Sequence, residues 1–359
     1  MFKIQNLINR SRQFFNKTNV PGSILRNTPK LSTRLQYFSN FFVVLPTTCL
    51  FGINLLKWNR ANIDTIDSVI PIVLQTSGAE AKKENVSELI ALITTKMREG
   101  NLEEAKSCID EAICISEQNN FVEFLPQLYH FLVLATIREG KNLLAEEILV
   151  RSIEKLTELG YKETSNEIVR LQLILARLYQ LRGDSAMAGL GFVNCITIQE
   201  SKFNADGVTD DVTTGLYLSL LFWYGLFLND KGELFDSKRY MEKALTLSRS
   251  MPNNSERTIF ILHNLAELSF RLTEFDEAIK YLVEGIRLCL LHLSLDAALP
   301  VFMVKLGLMY LIKGMDEKAE YWCSIAYAFA KSSYNACAED EASLCLNYLK
   351  NRKSKNKRV

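Results

Sequence analysis

Small and apolar residues recur at fixed distances along the chain, each time after a marker that is usually glycine. In the run KLGLMYLIKGMDEKAEYWCSIAYA, Gly314 is followed after five, nine and twelve residues by Ala319, Cys323 and Ala326. The same spacing follows five upstream markers, namely Gly100, Gly140, Gly183, Gly232 and Thr273. Apolar residues on both sides of each marker recur at helical spacing. The pattern therefore predicts about six helical hairpins.

Each part of this pattern has a physical role in a hairpin. Glycine takes the positive φ that ends a helix. Small residues let the two helix axes approach closely, and the apolar residue at the middle site fills the space beside the next hairpin. One hairpin cannot bury its apolar face alone, so hairpins stack. We predict an all-α helical-hairpin solenoid over residues 86–335.

This spacing resembles the tetratricopeptide repeat family. The segment LGLMY, followed by Gly314 and Ala319, is the most similar unit. The chain departs from the family pattern because its small sites are 40, 43, 49, 41 and 41 residues apart, against about 34 in the usual repeat. The longest interval contains ESKFNADGVTDDVTTG, which we interpret as a loop between hairpins.

The first 60 residues differ from the rest in charge. Nine basic residues precede the first acidic one, Asp64, and the remainder has 33 basic and 41 acidic residues, a net charge of 33 − 41 = −8. Residues 1–34 have the composition of a mitochondrial presequence, the alternative being a disordered basic tail. Within residues 35–60, the apolar run Phe41–Leu56 predicts a single membrane anchor. The alternatives for this run are the end of the presequence or a segment packed on the body.

Two further ranges lie outside the leader, the apolar segment and the repeat array. Residues 61–85 are predicted to be a linker, and residues 336–359 a C-terminal helix with a basic tail. That tail, KNRKSKNKRV, has no interleaved aromatic residue, so we expect a solvated end and no nucleic-acid binding.

The sequence has no catalytic motif. It contains no P-loop, GxSxG or HExxH, and its three histidines have no cysteine or acid at ligand spacing. We therefore expect no enzyme, cofactor, metal or small-molecule substrate, the alternative being an enzyme on a helical scaffold. The eight cysteines lack CxxC spacing. We interpret them as small buried core residues in a reducing compartment rather than as a disulfide framework.

A protein-binding surface is then the expected function. In stacked hairpins the first helices line a concave face, and their inward positions are apolar at both ends of the array and basic in the middle. This favours a hydrophobic helix or extended peptide with an acidic centre. The alternative is that several of these positions belong to the core. The candidate binding residues are Ile90, His130, Arg170, Arg177, Phe222, His263 and Leu308.

Three stretches narrow the resemblance further. They are LQLILARLYQLRGDSAMAGLGFVNCI, KRYMEKALTLSR and REGNLEEAKSCIDEAICISEQNN. With the leader and the apolar segment, they resemble the mitochondrial complex III maintenance factors of the tetratricopeptide class, over roughly residues 86–335. The resemblance implies a non-enzymatic inner-membrane scaffold that binds respiratory complex III, including the Rieske protein or its fragments, and promotes clearance of those fragments. The alternative is an adaptor for another partner, such as the import machinery or a kinesin-like motor.

Overall fold

The computed structural model describes residues 78–205, 210–251, 254–291 and 298–356. Within these ranges the chain is helical and contains no strand. The fold class is confirmed: the chain is an all-α, tetratricopeptide-type helical-hairpin protein. The predicted presequence, the apolar segment Phe41–Leu56 and most of the predicted linker lie outside the described residues.

The described residues form two compact units, divided between Phe227 and Leu228. We call them the N-terminal unit and the C-terminal unit. The first seven helices are α1 (Gly78–Glu99), α2 (Leu102–Gln118), α3 (Leu125–Arg138), α4 (Asn142–Glu158), α5 (Asn166–Leu181), α6 (Ser185–Ala205) and α7 (Asp211–Asp230). The remaining six described helices are α8 (Leu234–Ser250), α9 (Ser255–Arg271), α10 (Phe275–Leu291), α11 (Leu299–Ile312), α12 (Asp316–Ser332) and α13 (Ala336–Asn356). Helix α7 contains the division between the units.

The six markers end the first helices, as predicted. Gly314 closes α11 with a φ of 76°, and its backbone N–H donates to the Leu311 carbonyl at 3.1 Å. The other four glycine markers also have positive φ. Thr273, the one marker that is not glycine, adopts the same conformation with a φ of 65°. The turn geometry therefore decides the backbone conformation here even where the residue type disfavours it.

The small and apolar sites after each marker are buried. The first small sites are fully buried in all six hairpins, at Ala105, Ala145, Ala188, Ser237, Ala278 and Ala319. Helices approach closely where the facing residues are smallest. A Cβ added at Gly191 of α6 would lie 2.9 Å from the Cβ of Ala176 in α5. The small residues thus set the distance between the helices of a hairpin.

Ion pairs also join one hairpin to the next within each unit, a feature that the spacing did not predict. In the N-terminal unit Lys106 lies 2.8 Å from Glu139. In the C-terminal unit Arg249 of α8 contacts Glu284 of α10 at 2.6 Å. These side chains are partly solvent-exposed, so each pair contributes at most about 1 kcal/mol.

The interpretation of the cysteines was wrong for one pair. Cys323 of α12 and Cys345 of α13 form a disulfide, with their Cα atoms 6.3 Å apart. The two helices are consecutive and pack side by side, so residues 22 positions apart face each other. Spacing rules for metal and redox motifs cannot detect such a pair. The other described cysteines form no disulfide.

One helix in the described ranges, α7, is long and apolar enough to cross a membrane. However, 67% of its most apolar stretch is buried inside the protein, and core helices of soluble proteins share this length and composition.

Candidate partner-binding site

The candidate residues of the N-terminal unit lie on first helices of successive hairpins, α1, α3, α5 and α7. Ile90, Arg170 and Arg177 are half-buried, whereas His130 and Phe222 are 1% and 8% exposed. We call the surface formed by these first helices the first-helix face of the N-terminal unit. In the C-terminal unit His263 of α9 and Leu308 of α11 are buried, at 7% and 2% exposed. That the seven residues bind a partner stays a prediction.

In the middle of this face, side chains of α5 and α7 meet at the ring of Trp223. The guanidinium carbon of Arg177, on α5, lies 3.1 Å from the ring centroid of Trp223, on α7. The Trp223 ring meets that of Phe222 edge to face, with centroids 5.3 Å apart. The ring holds one face of the guanidinium, and this contact is attractive because the π cloud is electron-rich.

His130, on α3, lies close enough to Arg170 for the two charges to interact. Burial, together with the positive charge of Arg170, lowers the pKa of His130 to about 3. The imidazole is therefore neutral at physiological pH. Neither ring nitrogen has a hydrogen-bond partner among the described residues. The positive charge of this part of the face thus comes from Arg170 and Arg177 alone among the candidate residues.

Buried charge distinguishes the first helices of the C-terminal unit. The ammonium group of Lys305, whose side chain is 4% exposed, lies 3.1 Å from a carboxylate oxygen of Glu267. Burial holds the pKa of Glu341 on α13 above its usual value, although the charge of Lys305 opposes this shift. Burial and the charge of Lys305 hold the pKa of His263 well below its usual value. The apolar end predicted from the sequence therefore also contains a buried cluster of charged residues.

Sequence reasoning missed Trp223, Lys305 and Glu341. A signal existed for Lys305, because it is the only charged residue in the otherwise apolar helix LPVFMVKLGLMYLI. Glu341 gave no signal, since a glutamate in an acidic stretch is normally solvated. Trp223 follows the predicted Phe222, but helical periodicity alone did not place both rings on one face.

The second helices α4 and α6 of the N-terminal unit have an unusual outer surface. Leu143 and Leu190 are 71% and 68% exposed. In α2, the two positions equivalent to Leu143 and Val150 are the acidic residues Glu103 and Asp110. This outer aliphatic surface faces away from the core and was not predicted from the repeat pattern.

Comparison with known proteins identifies relatives of the same repeat class. No protein-family model matches the chain. The protein named "Tetratricopeptide repeat protein 19 homolog, mitochondrial" from Drosophila melanogaster is 27% identical over 208 residues, which is 57% of this chain and 56% of the fly protein. The Homo sapiens protein of that name is 22% identical over 218 residues, 57% of each chain. The chain thus spans little more than half the length of these curated relatives.

Solved structures agree in fold. The apo form of RapI has a TM-score of 0.57 at 14% identity, covering 75% of this chain and 72% of that one. A signal-transduction ATPase with a tetratricopeptide repeat sensor from Pyrococcus horikoshii has a TM-score of 0.54 at 14% identity, covering 89% of this chain and 44% of that one. The chain is therefore a tetratricopeptide-type helical-hairpin protein whose sequence is similar, over 57% of its length, to the proteins named tetratricopeptide repeat protein 19.

Proposed function

We propose that the chain is a non-enzymatic scaffold of the mitochondrial inner membrane that supports respiratory complex III. In this proposal it binds complex III subunits and promotes clearance of Rieske iron–sulfur subunit fragments. Similarity to the proteins named tetratricopeptide repeat protein 19, mitochondrial, supports a mitochondrial location, and the helical-hairpin fold supports protein binding. Residues 1–34 would direct import, and residues 35–60 would anchor the chain in the membrane.

The stacking of Arg177 on Trp223 is the observation that supports this location of the binding site. Arginine presents its donors in a planar fork that matches a carboxylate, and stacking on an aromatic ring fixes the orientation of that fork. Arg170 lies seven residues earlier on the same helix, two turns away on the same face. The two arginines would hold an acidic residue of the bound segment.

The surroundings of the arginines favour a segment that is apolar on either side of its acidic centre. Phe222 lies beside Trp223, and Ile90 of α1 packs against the core cluster formed by α1, α2 and α3. Neutral His130 adds no positive charge. An amphipathic helix or an extended peptide with one or two carboxylates matches this distribution.

A charge-reversal experiment tests the proposal. Arg170→Glu/Arg177→Glu replaces the two positive charges of the candidate residues with negative ones. The control Arg151→Glu/Lys155→Glu makes the same charge change on exposed positions of α4. Tagged full-length proteins are captured from detergent-solubilised mitochondria, and the bound proteins are identified by mass spectrometry. Circular dichroism verifies that both variants are folded.

The wild-type and control proteins should recover complex III subunits, whereas the Arg170→Glu/Arg177→Glu protein should recover at least about tenfold less. Breaking desolvated charge pairs costs several kcal/mol, which is more than a tenfold loss requires. Full recovery by a folded Arg170→Glu/Arg177→Glu protein would remove the binding site but keep the partner. Absence of complex III subunits from the wild-type capture would remove the partner as well.

A further inference from the structure

The middle site of the sixth hairpin is filled differently from the other five. Nine residues after the marker, the first five hairpins carry the bulky apolar residues Ile109, Leu149, Phe192, Met241 and Leu282, each at most 1% exposed. The sixth carries Cys323, which is fully buried and bonded to Cys345 of α13. A disulfide therefore occupies the space that a large side chain fills elsewhere.

The neighbouring helix is shaped to accept this bond. Gly307 of α11 lies directly against Cys323, and a Cβ added at Gly307 would lie 2.5 Å from the Cys323 sulfur. The flexible backbone of glycine is not needed there, since Gly307 is in the middle of a helix. Its role is to leave room. The close fit of three helices around the sulfur atoms indicates a built site, not an accidental approach of two thiols.

The bond fastens α13, the last helix of the described residues. Helix α13 follows the sixth hairpin and buries Ala338, Ala342 and Cys345, yet no second helix follows it within the described residues. It is also held to α12 by ion pairs, of which Arg352 to Asp316 measures 2.7 Å. Helices with few packed neighbours open more easily than central ones. A covalent bond between α12 and α13 therefore limits the opening of α13.

We infer that Cys323 and Cys345 are an oxidative cross-linking site, so that the C-terminal unit matures in a compartment that supplies a disulfide oxidant. The two thiols lose two protons and two electrons as they form one S–S bond. The disulfide of the oxidant accepts the two electrons and two protons and becomes a dithiol. Disulfides persist in oxidising compartments and are rare where glutathione and thioredoxin keep thiols reduced. Resting on the proposed function, this places the C-terminal unit in the intermembrane space and not in the reducing matrix.

The redox state can be read directly from the protein in its cells. Cells are quenched in acid, the protein is denatured, and thiols are alkylated with one isotopic form of a reagent before reduction and a second form afterwards. We expect Cys323 and Cys345 to carry only the second label. Cys114, which is exposed and forms no disulfide, should carry the first and serves as the internal control. First-label alkylation of both Cys323 and Cys345 in this preparation would overturn the inference.

A second measurement tests the fastening of α13. Cys345→Ser should accelerate hydrogen exchange of α13 amides by at least about tenfold, since the helix can then open without unfolding its neighbours. Cys337→Ser, on the same helix but outside the disulfide, should leave the exchange unchanged. Equal exchange in the two variants would contradict a fastening role.

Failure of this inference is distinguishable from failure of the proposed function. A reduced pair in a protein that still captures complex III would overturn the cross-link and keep the function. An oxidised pair in a protein that is found outside mitochondria would support the cross-link and remove the function.

Discussion

At the scale of single residues, Thr273 shows how the turn overrides side-chain preference. Its φ of 65° lies in the left-handed region, which disfavours β-branched residues by roughly 1–2 kcal/mol. Thr273→Gly should therefore raise the free energy of unfolding by about 1 kcal/mol, measured by urea denaturation of the full chain. The reverse change at an equivalent turn of the same unit, Gly314→Thr, should lower it by a similar amount. No gain from Thr273→Gly would mean that the turn is not strained.

The burial of His130 predicts how the stability of the protein depends on pH. Its folded-state pKa of about 3 is below the unfolded value of about 6.5, so the unfolded state binds more protons between these values. Stability should fall as pH decreases through this window, by up to about 1.4 kcal/mol per pH unit for one histidine. His130→Leu cannot take up the proton, so it should reduce the slope of unfolding free energy against pH between pH 6.5 and 5. The pKa of buried His263 is also lowered, so His263 maintains part of this slope in the His130→Leu variant. An unchanged slope in His130→Leu would contradict the burial of His130.

At the scale of helices, the close approach of α5 and α6 has a direct test. Gly191→Ala places a methyl group 2.9 Å from the Ala176 Cβ, so the helices must move apart, at a cost of about 1–3 kcal/mol. Gly189→Ala, two residues earlier in α6, meets the Phe227 ring at an ordinary 3.5 Å. That control should be neutral or gain up to about 1 kcal/mol from helix propensity. Thermal denaturation of both variants tests this difference. Equal midpoints would contradict the packing described for Gly191.

The helices and turns could be predicted because each hairpin repeats the same local requirements. Glycine at position 314 and alanine at 319 signal a turn and a close contact within a few residues, so periodicity is sufficient to find them. The pairing of Cys323 with Cys345 depends on how α12 and α13 pack, which no local pattern contains. Likewise the stacking of Arg177 on Trp223 depends on the relative position of α5 and α7. Contacts between particular side chains of different hairpins were therefore the part that the sequence did not reveal.

At the scale of the whole molecule, stacked hairpins present extended surfaces that suit partner binding. Within the described residues, no group of three or more His, Cys, Asp or Glu side chains could hold a metal ion. The N-terminal unit presents two arginines beside an aromatic pair, whereas the first helices α9 and α11 of the C-terminal unit join Glu267 to a buried lysine, Lys305. The N-terminal unit is accordingly the part of the protein in which we place the binding of complex III.

Site-specific photocross-linking tests whether the first-helix face of the N-terminal unit binds complex III. A photoreactive phenylalanine analogue replaces Gln180, half-buried on α5 one turn after Arg177, or Leu144, exposed on the outer surface of α4. Each full-length protein is irradiated in intact mitochondria, and the adducts are identified by mass spectrometry. We expect an adduct to a complex III subunit or a Rieske-derived segment from position 180 and none from position 144. Adducts to complex III from position 144 alone would contradict it.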